Sequence, residues 1–245
     1  MVLRIGAMLT APLLAAVMGL GLAAPAMSEQ KDAIVFDVEL KGIRAGRLAI
    51  NGVSDGARYS ANGVLETTGL VGAIRKIRYE AAVYGAEGSR FTPVKYTEKA
   101  DTPKRQSTFE MSYKSGTPVK VVQTPERKPR ATDVAPSTQS GTIDPLTALY
   151  AVLRDVDRDQ ACKFNATMFD GARRTQVALS APQQSGDGVV CAGEYRRIAG
   201  FSEKDMAEKS RMKFTLTYAP TRDGRLQVQE ISTDTIYGKG RLKRR

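Results

Sequence analysis

The sequence predicts a mainly β protein: a single strongly curved antiparallel sheet, a half-barrel or open barrel, with one or two short helices covering the concave face. Three observations carry this expectation. Apolar residues recur with a period of two along most of the chain, turn residues interrupt that period at short intervals, and one segment alone has clear helical spacing. Alternation marks a strand that is half buried in an antiparallel sheet, because strands covered on both faces of a parallel sheet read as continuous apolar runs. The intervals suit about ten to twelve strands, as in a sandwich or barrel. A closed lipocalin-like barrel is the second choice.

The elements follow in chain order. Ile34, Phe36, Val38 and Leu40 alternate with Val35, Asp37, Glu39 and Lys41, and Gly46, Leu48 and Ile50 alternate with Arg47 and Ala49. Between them, Lys41-Gly42 supplies the positive φ that a tight hairpin needs. Asn51-Gly52, Asp55-Gly56, Asp170-Gly171 and Asp223-Gly224 are further turn signals. Leu70, Val71 and Ile74 suggest a short helical cap over 70–74, followed by a strand over 75–84. Phe109, Met111 and Tyr113 form one more alternating set, and Met212, Phe214, Leu216 and Tyr218 another. The strongest helix runs from Asp144 to Asp155. Asp144 is a natural N-cap, Pro145 suits the first helical position, and Leu146, Leu149, Tyr150 and Leu153 follow at i, i+3, i+4 and i+7. Ser202 to Lys209 suggests a second short helix. Thr124 to Thr142, with Pro125, Pro129 and Pro136, reads as a long Pro-rich surface loop, and Lys239 to Arg245 as a basic C-terminal tail.

Residues 1–28 have the form of a secretory signal peptide. One cation, Arg4, precedes a run of small and apolar residues, no acid occurs before Glu29, and small residues allow cleavage after Ala26 or Ser28. Residues 29–245 are then one β-rich domain in the periplasm, with no integral membrane span left after cleavage. Loss of Arg4 changes the charge from +11 to 36 − 26 = +10. For an exported protein this excess points away from nucleic acid and toward an anionic envelope surface. In an oxidising compartment the two cysteines, Cys162 and Cys191, are expected to pair.

Composition also narrows the chemistry. The chain has no histidine, which removes Ser-His-Asp and Cys-His catalysis and every His-ligated metal. Two cysteines do not complete a four-thiolate site. Asp37 with Glu39 share a strand face, but their neighbours suggest a solvated outer surface rather than a glycosidase pair. Asp155, Asp157 and Asp159 are interleaved with arginines and lack the spacing of a calcium loop. The expectation is a protein with no catalytic residues, no metal and no cofactor.

The phrases Phe91-Thr92-Pro93-Val94-Lys95-Tyr96, Gly141-Thr142-Ile143-Asp144-Pro145-Leu146, Phe169-Asp170-Gly171 and Cys191-Ala192-Gly193-Glu194-Tyr195 occur in an order and spacing that resembles a bacterial periplasmic family, domain of unknown function 3108. The resemblance covers about Ile34 to Arg241. That family is in turn distantly similar to the periplasmic lipoprotein carriers, which implies a curved half-barrel with helices on its open side and an apolar concavity for acyl chains.

The candidate site follows from the alternation. Phe36, Val38, Leu48, Tyr79, Phe109, Met111, Phe214 and Leu216 should face the concave side, with Leu146 and Leu149 of the helix opposite them. They are expected to line a pocket for a lipid or other hydrophobic ligand. Arg127, Lys128, Arg130, Arg241, Lys243, Arg244 and Arg245 are the expected contacts to an anionic partner. The competing expectation is a structural or protein-interaction module of the cell envelope, with a filled core and no ligand.

Overall fold

The structure is a computed structural model in which residues 29–235 and 238–245 are described. The expected signal peptide, 1–28, lies outside the described residues. Seven strands come first: β1 (Gln30–Leu40), β2 (Ile43–Ser54), β3 (Arg58–Thr67), β4 (Arg78–Ala86), β5 (Thr92–Thr102), β6 (Arg105–Lys114) and β7 (Thr117–Thr124). Six follow the long connection: β8 (Asn165–Phe169), β9 (Arg174–Ser185), β10 (Gly188–Ala199), β11 (Arg211–Pro220), β12 (Leu226–Thr235) and β13 (Gly238–Arg244). Three short helices, α1 (Gly69–Ile74), α2 (Pro145–Leu153) and α3 (Glu203–Glu208), complete the described elements.

All the strands belong to one sheet, in the order β7-β6-β5-β4-β3-β2-β1-β13-β12-β11-β10-β9-β8. Every pairing is antiparallel, and each is a hairpin between sequence neighbours except the joint of β1 with β13. The sheet is therefore a meander that curls until only the β7 and β8 edges remain apart. The β1–β2 hairpin turns as its sequence predicts, with Lys41 at φ +52° and Gly42 at φ +78°.

One expectation needs correction. The basic C-terminal run is not a tail: Gly238–Arg244 is a strand, with Phe36 opposite Arg244 on one side and Ile231 opposite Leu242 on the other. Without it the edges of β1 and β12 would be left with unpaired backbone groups. The Pro-rich segment is a largely exposed surface loop, as expected, but its second half is tied down. It runs along the gap between β7 and β8, where Val134 N–H donates to Ala172 O, Gly141 N–H to Gly116 O, and Ile143 N–H to Thr167 O. Gln139, Thr142 and Ile143 are buried there. Ile143 thereby supplies hydrogen-bond partners to the β8 edge, which would otherwise template aggregation.

From this seam α2 enters the barrel. Asp144 caps it as predicted, its side chain accepting from Thr147 N–H at 2.9 Å, and the helix ends at Leu153. Leu146, Tyr150 and Leu153 join Phe36, Ile50, Met111, Leu216 and Leu226 in one buried core. Backbone clearance comes from glycine: a Cβ at Gly52 would lie 2.1 Å from the Tyr150 ring, and one at Gly63 would lie 2.8 Å from Leu146 Cδ1. Cys162, just before β8, is bonded to Cys191 of β10 with 5.4 Å between Cα atoms. Among the described residues no helix is long and apolar enough to cross a membrane.

Candidate functional site

The two ends of the barrel are built differently. At the end where β1 begins, α2 closes the interior with a polar layer. Tyr150 donates its hydroxyl to Asp32 Oδ2 at 2.9 Å, and Gln30 donates to both oxygens of Asp32 and to the carbonyl of Asp155. Arg244 points inward over the Phe36 ring at 5.9 Å, with Asp155 Oδ1 3.8 Å away. Burial raises the Asp155 carboxyl and lowers the Arg244 guanidinium, and each partly offsets the other. Such a layer is costly to bury, and the Asp32 hydrogen bonds and the Arg244–Asp155 charge pair offset part of that cost, although Asp155 Oδ1 itself accepts no hydrogen bond from a described residue.

Deeper in, the helix N-terminus carries a second buried carboxyl. Asp144 is fully enclosed beside the Tyr59, Tyr96 and Tyr113 rings, and burial pushes its pKa up to about 6 against the hydrogen bonds from Thr147. Tyr59 and Thr147 hydroxyls lie 2.7 Å apart. The Tyr113 hydroxyl has no partner among the described residues.

At the opposite end the interior is open. Inward positions follow from register: Leu65 lies across from Leu48 and Tyr79, two residues on from the inward Ala61 and Gly63. Although it faces the concave side, Leu65 is 40% exposed. Leu149 is 39% exposed, one helical turn beyond Pro145 on the side of α2 that faces this end. Val38, Tyr79, Phe109, Phe214, Ile231 and Leu242 are inward and only partly buried. The result is an apolar cup with α2 as its floor.

Beside the seam the mouth deepens into a cavity of about 500 Å³. Tyr96, Phe109 and Val121 form its apolar wall, and Glu98, Arg105, Glu126, Arg127, Arg130, Asp170 and Arg173 its polar one. Several of these charges are already engaged. Arg127 is 2.6 Å from Asp133, Arg105 is 3.9 Å from Glu98, and Tyr96 donates to Glu98 at 2.8 Å. Arg130 and Arg173 make no ion pair with a described residue, and Arg173 stacks over Phe201 at 5.2 Å. Two guanidinium groups therefore stand beside apolar rings at the entrance, an arrangement suited to an anion carrying a hydrophobic tail.

The sequence-predicted residues divide accordingly. Phe36, Leu48, Met111, Leu216 and Leu146 are 6% exposed or less and are core rather than lining. Val38, Tyr79, Phe109, Phe214 and Leu149 keep accessible surface at the open end. Arg127 and Arg130 meet Phe109 in the cavity, whereas Lys128 is exposed outside its lining. The C-terminal cations require a correction, since β13 alternates. Arg241, Lys243 and Arg245 project outward to Glu230, Glu39 and Asp37, and Arg244 is inside. Sequence reasoning missed Leu65, Arg105 and Arg173. Leu65 was within reach, because it continues the alternation of Tyr59, Ala61 and Gly63.

The sequence model "Protein of unknown function (DUF3108)" matches residues 35–187. The chain belongs to this family. Within that DUF3108 match lie the first seven strands, the seam segment and α2, so it spans most of the cup wall and its floor. No curated protein matches the chain. Among solved structures, the DUF3108 chain is similar to the "Beta-barrel-like Protein of Domain of Unknown Function DUF1849 from Brucella abortus", at 13% identity and a TM-score of 0.49. The likeness covers 88% of this chain and 95% of that one.

Proposed function

We propose that this protein is an exported, non-enzymatic envelope factor that holds the acyl chain of an anionic lipid in the open end of its barrel. The observation that carries the reading is the exposure of Leu65, at 40% on the concave side of the sheet, and of Leu149 of α2, at 39%, where the neighbouring inward Leu48 and Leu216 are buried. Apolar side chains left uncovered inside a cup are surface that a ligand can cover. Burying ten methylenes at about 0.8 kcal/mol each would contribute roughly 8 kcal/mol before ordering costs. Arg130 and Arg173 would receive the head group. Export is supported by the Cys162–Cys191 bond and by the signal-like residues 1–28. A non-enzymatic role is supported by the absence of histidine and by the engagement of the enclosed carboxylates Glu87 with Arg154 and Asp32 with Tyr150.

The test is native mass spectrometry of protein purified from the periplasm, followed by lipid extraction and by uptake of a fluorescent fatty acid. The expected result is a copurifying lipid and saturable uptake. An empty protein that takes up no fatty acid would overturn the reading. The interaction-module alternative has one observation in its favour: a hollow of about 580 Å³ is on the outer face of β3 to β7, floored by Val64, Ala82 and Val122. That alternative would stand if the cup proved empty. Turnover of any substrate that a single Asp or Glu substitution abolished, with the fold intact, would overturn the non-enzymatic reading.

A further inference from the structure

We infer that the open end of the barrel docks on an anionic phospholipid surface through an aliphatic rim centred on α1. The inference deepens the reading above, from which it takes only the envelope setting. The helix itself is unusual, because α1 buries none of its residues. Leu70 and Ile74, one turn apart on the same face, are 81% and 87% exposed. Ile43, the first residue of β2 beside the adjoining β1–β2 turn, is 62% exposed. The two connections are tied together where Thr68 N–H donates to Ala45 O at 3.1 Å. Single exposed aliphatic residues are ordinary on a protein surface. Here three stand on two segments tied together, at the end where the apolar interior also opens, and the fold itself leaves them uncovered.

The charges on that rim select the partner. Lys41, Arg75, Lys76 and Lys104 make no ion pair with a described residue, and Lys76 shares a hollow with the β5–β6 turn that carries Lys104. Residues 67–77, 40–46 and 102–105 carry no carboxylate, and Asp101, near the end of β5, is the one acid that lines the hollow with Lys76 and Lys104. On β13, by contrast, Arg241, Lys243, Arg244 and Arg245 each lie within 4 Å of an acid. A second copy of this chain would bring the same unmatched cations to the contact and be repelled. Aliphatic side chains flanked by free lysine and arginine instead suit the boundary between acyl chains and anionic head groups.

Flotation with vesicles tests this. One set contains phosphatidylcholine alone, and in the other about a third of the lipid is phosphatidylglycerol. The full exported chain should float with the anionic vesicles, weakly with the neutral ones, and less as salt is raised. Two double variants, Leu70→Ser with Ile74→Ser and Arg75→Glu with Lys76→Glu, should each bind at least about tenfold more weakly. Their thermal unfolding should not change, because the substituted side chains are exposed or unpaired. Failure of the parent protein to bind anionic vesicles, or binding by both variants at the parent's affinity, would overturn the inference. A self-association abolished by the Leu70→Ser/Ile74→Ser variant, with no vesicle binding, would overturn it too. Fatty-acid uptake in solution is a separate readout: its loss with vesicle binding intact defeats the ligand reading and leaves the docking surface standing.

Discussion

Asp144 is the side chain at which burial and charge conflict most directly. Its carboxyl caps α2 from a fully enclosed position, and its pKa is raised from 3.8 to about 6 by desolvation. The folded state therefore holds the proton more tightly than the unfolded chain. The contribution to stability is full below about pH 4 and is lost as pH rises through about 6. A shift of about two units corresponds to about 3 kcal/mol. Asp155 is raised as well, whereas Asp55, Asp133, Asp205 and Asp223 are held low by hydrogen bonds and lose their contribution only at lower pH. No histidine titrates in this range. Asp144→Asn keeps an oxygen for Thr147 and removes the ionisation. Urea unfolding across pH 4–7 should show the wild type losing stability relative to Asp144→Asn as pH rises; parallel curves would refute the assignment. Gly52 offers a second residue-scale check. A methyl there would sit 2.1 Å from the Tyr150 ring, so Gly52→Ala should destabilise by about 1–3 kcal/mol by overpacking and push Tyr150 off Asp32.

Among the elements, the connection from α2 to β8 relies most on a single bond. Cys162 sits in that connection and Cys191 faces inward on β10, buried completely. A loop of this length gives about 3–4 kcal/mol in the chain-entropy account. Replacing both cysteines by alanine should lower the urea stability by about that amount, and reductant should then have no further effect; an unchanged midpoint would show that packing alone holds the segment. The elements also differ in how plainly the sequence announced them. Strands such as Ile34 to Leu40 and Met212 to Tyr218 were legible because each inward residue is apolar and each outward one polar. The cap of α2 was legible because Asp144-Pro145 is a local signal. Two elements were not. In β13 the inward positions are Gly238, Gly240, Leu242 and Arg244, so alternation yields one apolar residue, and a buried arginine reads as surface charge. The seam strip has loop composition, yet its backbone partners the β8 edge and two turns, a need no local pattern encodes. The site was half legible for the same reason. Phe109, Arg127 and Arg130 were expected, while Arg173 reaches the cavity only because the β8–β9 turn folds over Phe109, with Gly171 so close that a Cβ would lie 2.5 Å from the ring.

At the scale of the whole molecule, the barrel is a cup whose closed and open ends should respond oppositely to the same kind of substitution. Leu153 of α2 is fully buried at the closed end, beside the layer formed by Asp32, Tyr150 and Asp155. Leu153→Ala removes packed volume that the surrounding sheet is not free to fill and should cost about 2–5 kcal/mol. Leu65 and Leu149 are 40% and 39% exposed, so their truncation forfeits little burial, and each serine variant should cost under about 1 kcal/mol. Ligand uptake should show the reverse order. Leu65→Arg together with Leu149→Arg places two guanidinium groups on the apolar floor and wall, and a bound acyl chain would have to desolvate them. Fatty-acid uptake by this variant should fall by at least about tenfold, as expected for a loss of 1.4 kcal/mol or more, while its urea midpoint stays near that of the parent. If Leu149→Ser instead destabilised the protein as much as Leu153→Ala, the open end would be packed in solution and the cup would have no room for a ligand. If uptake survived both arginines, the chain would be entering elsewhere, with the outer hollow over β3 to β7 the next place to test.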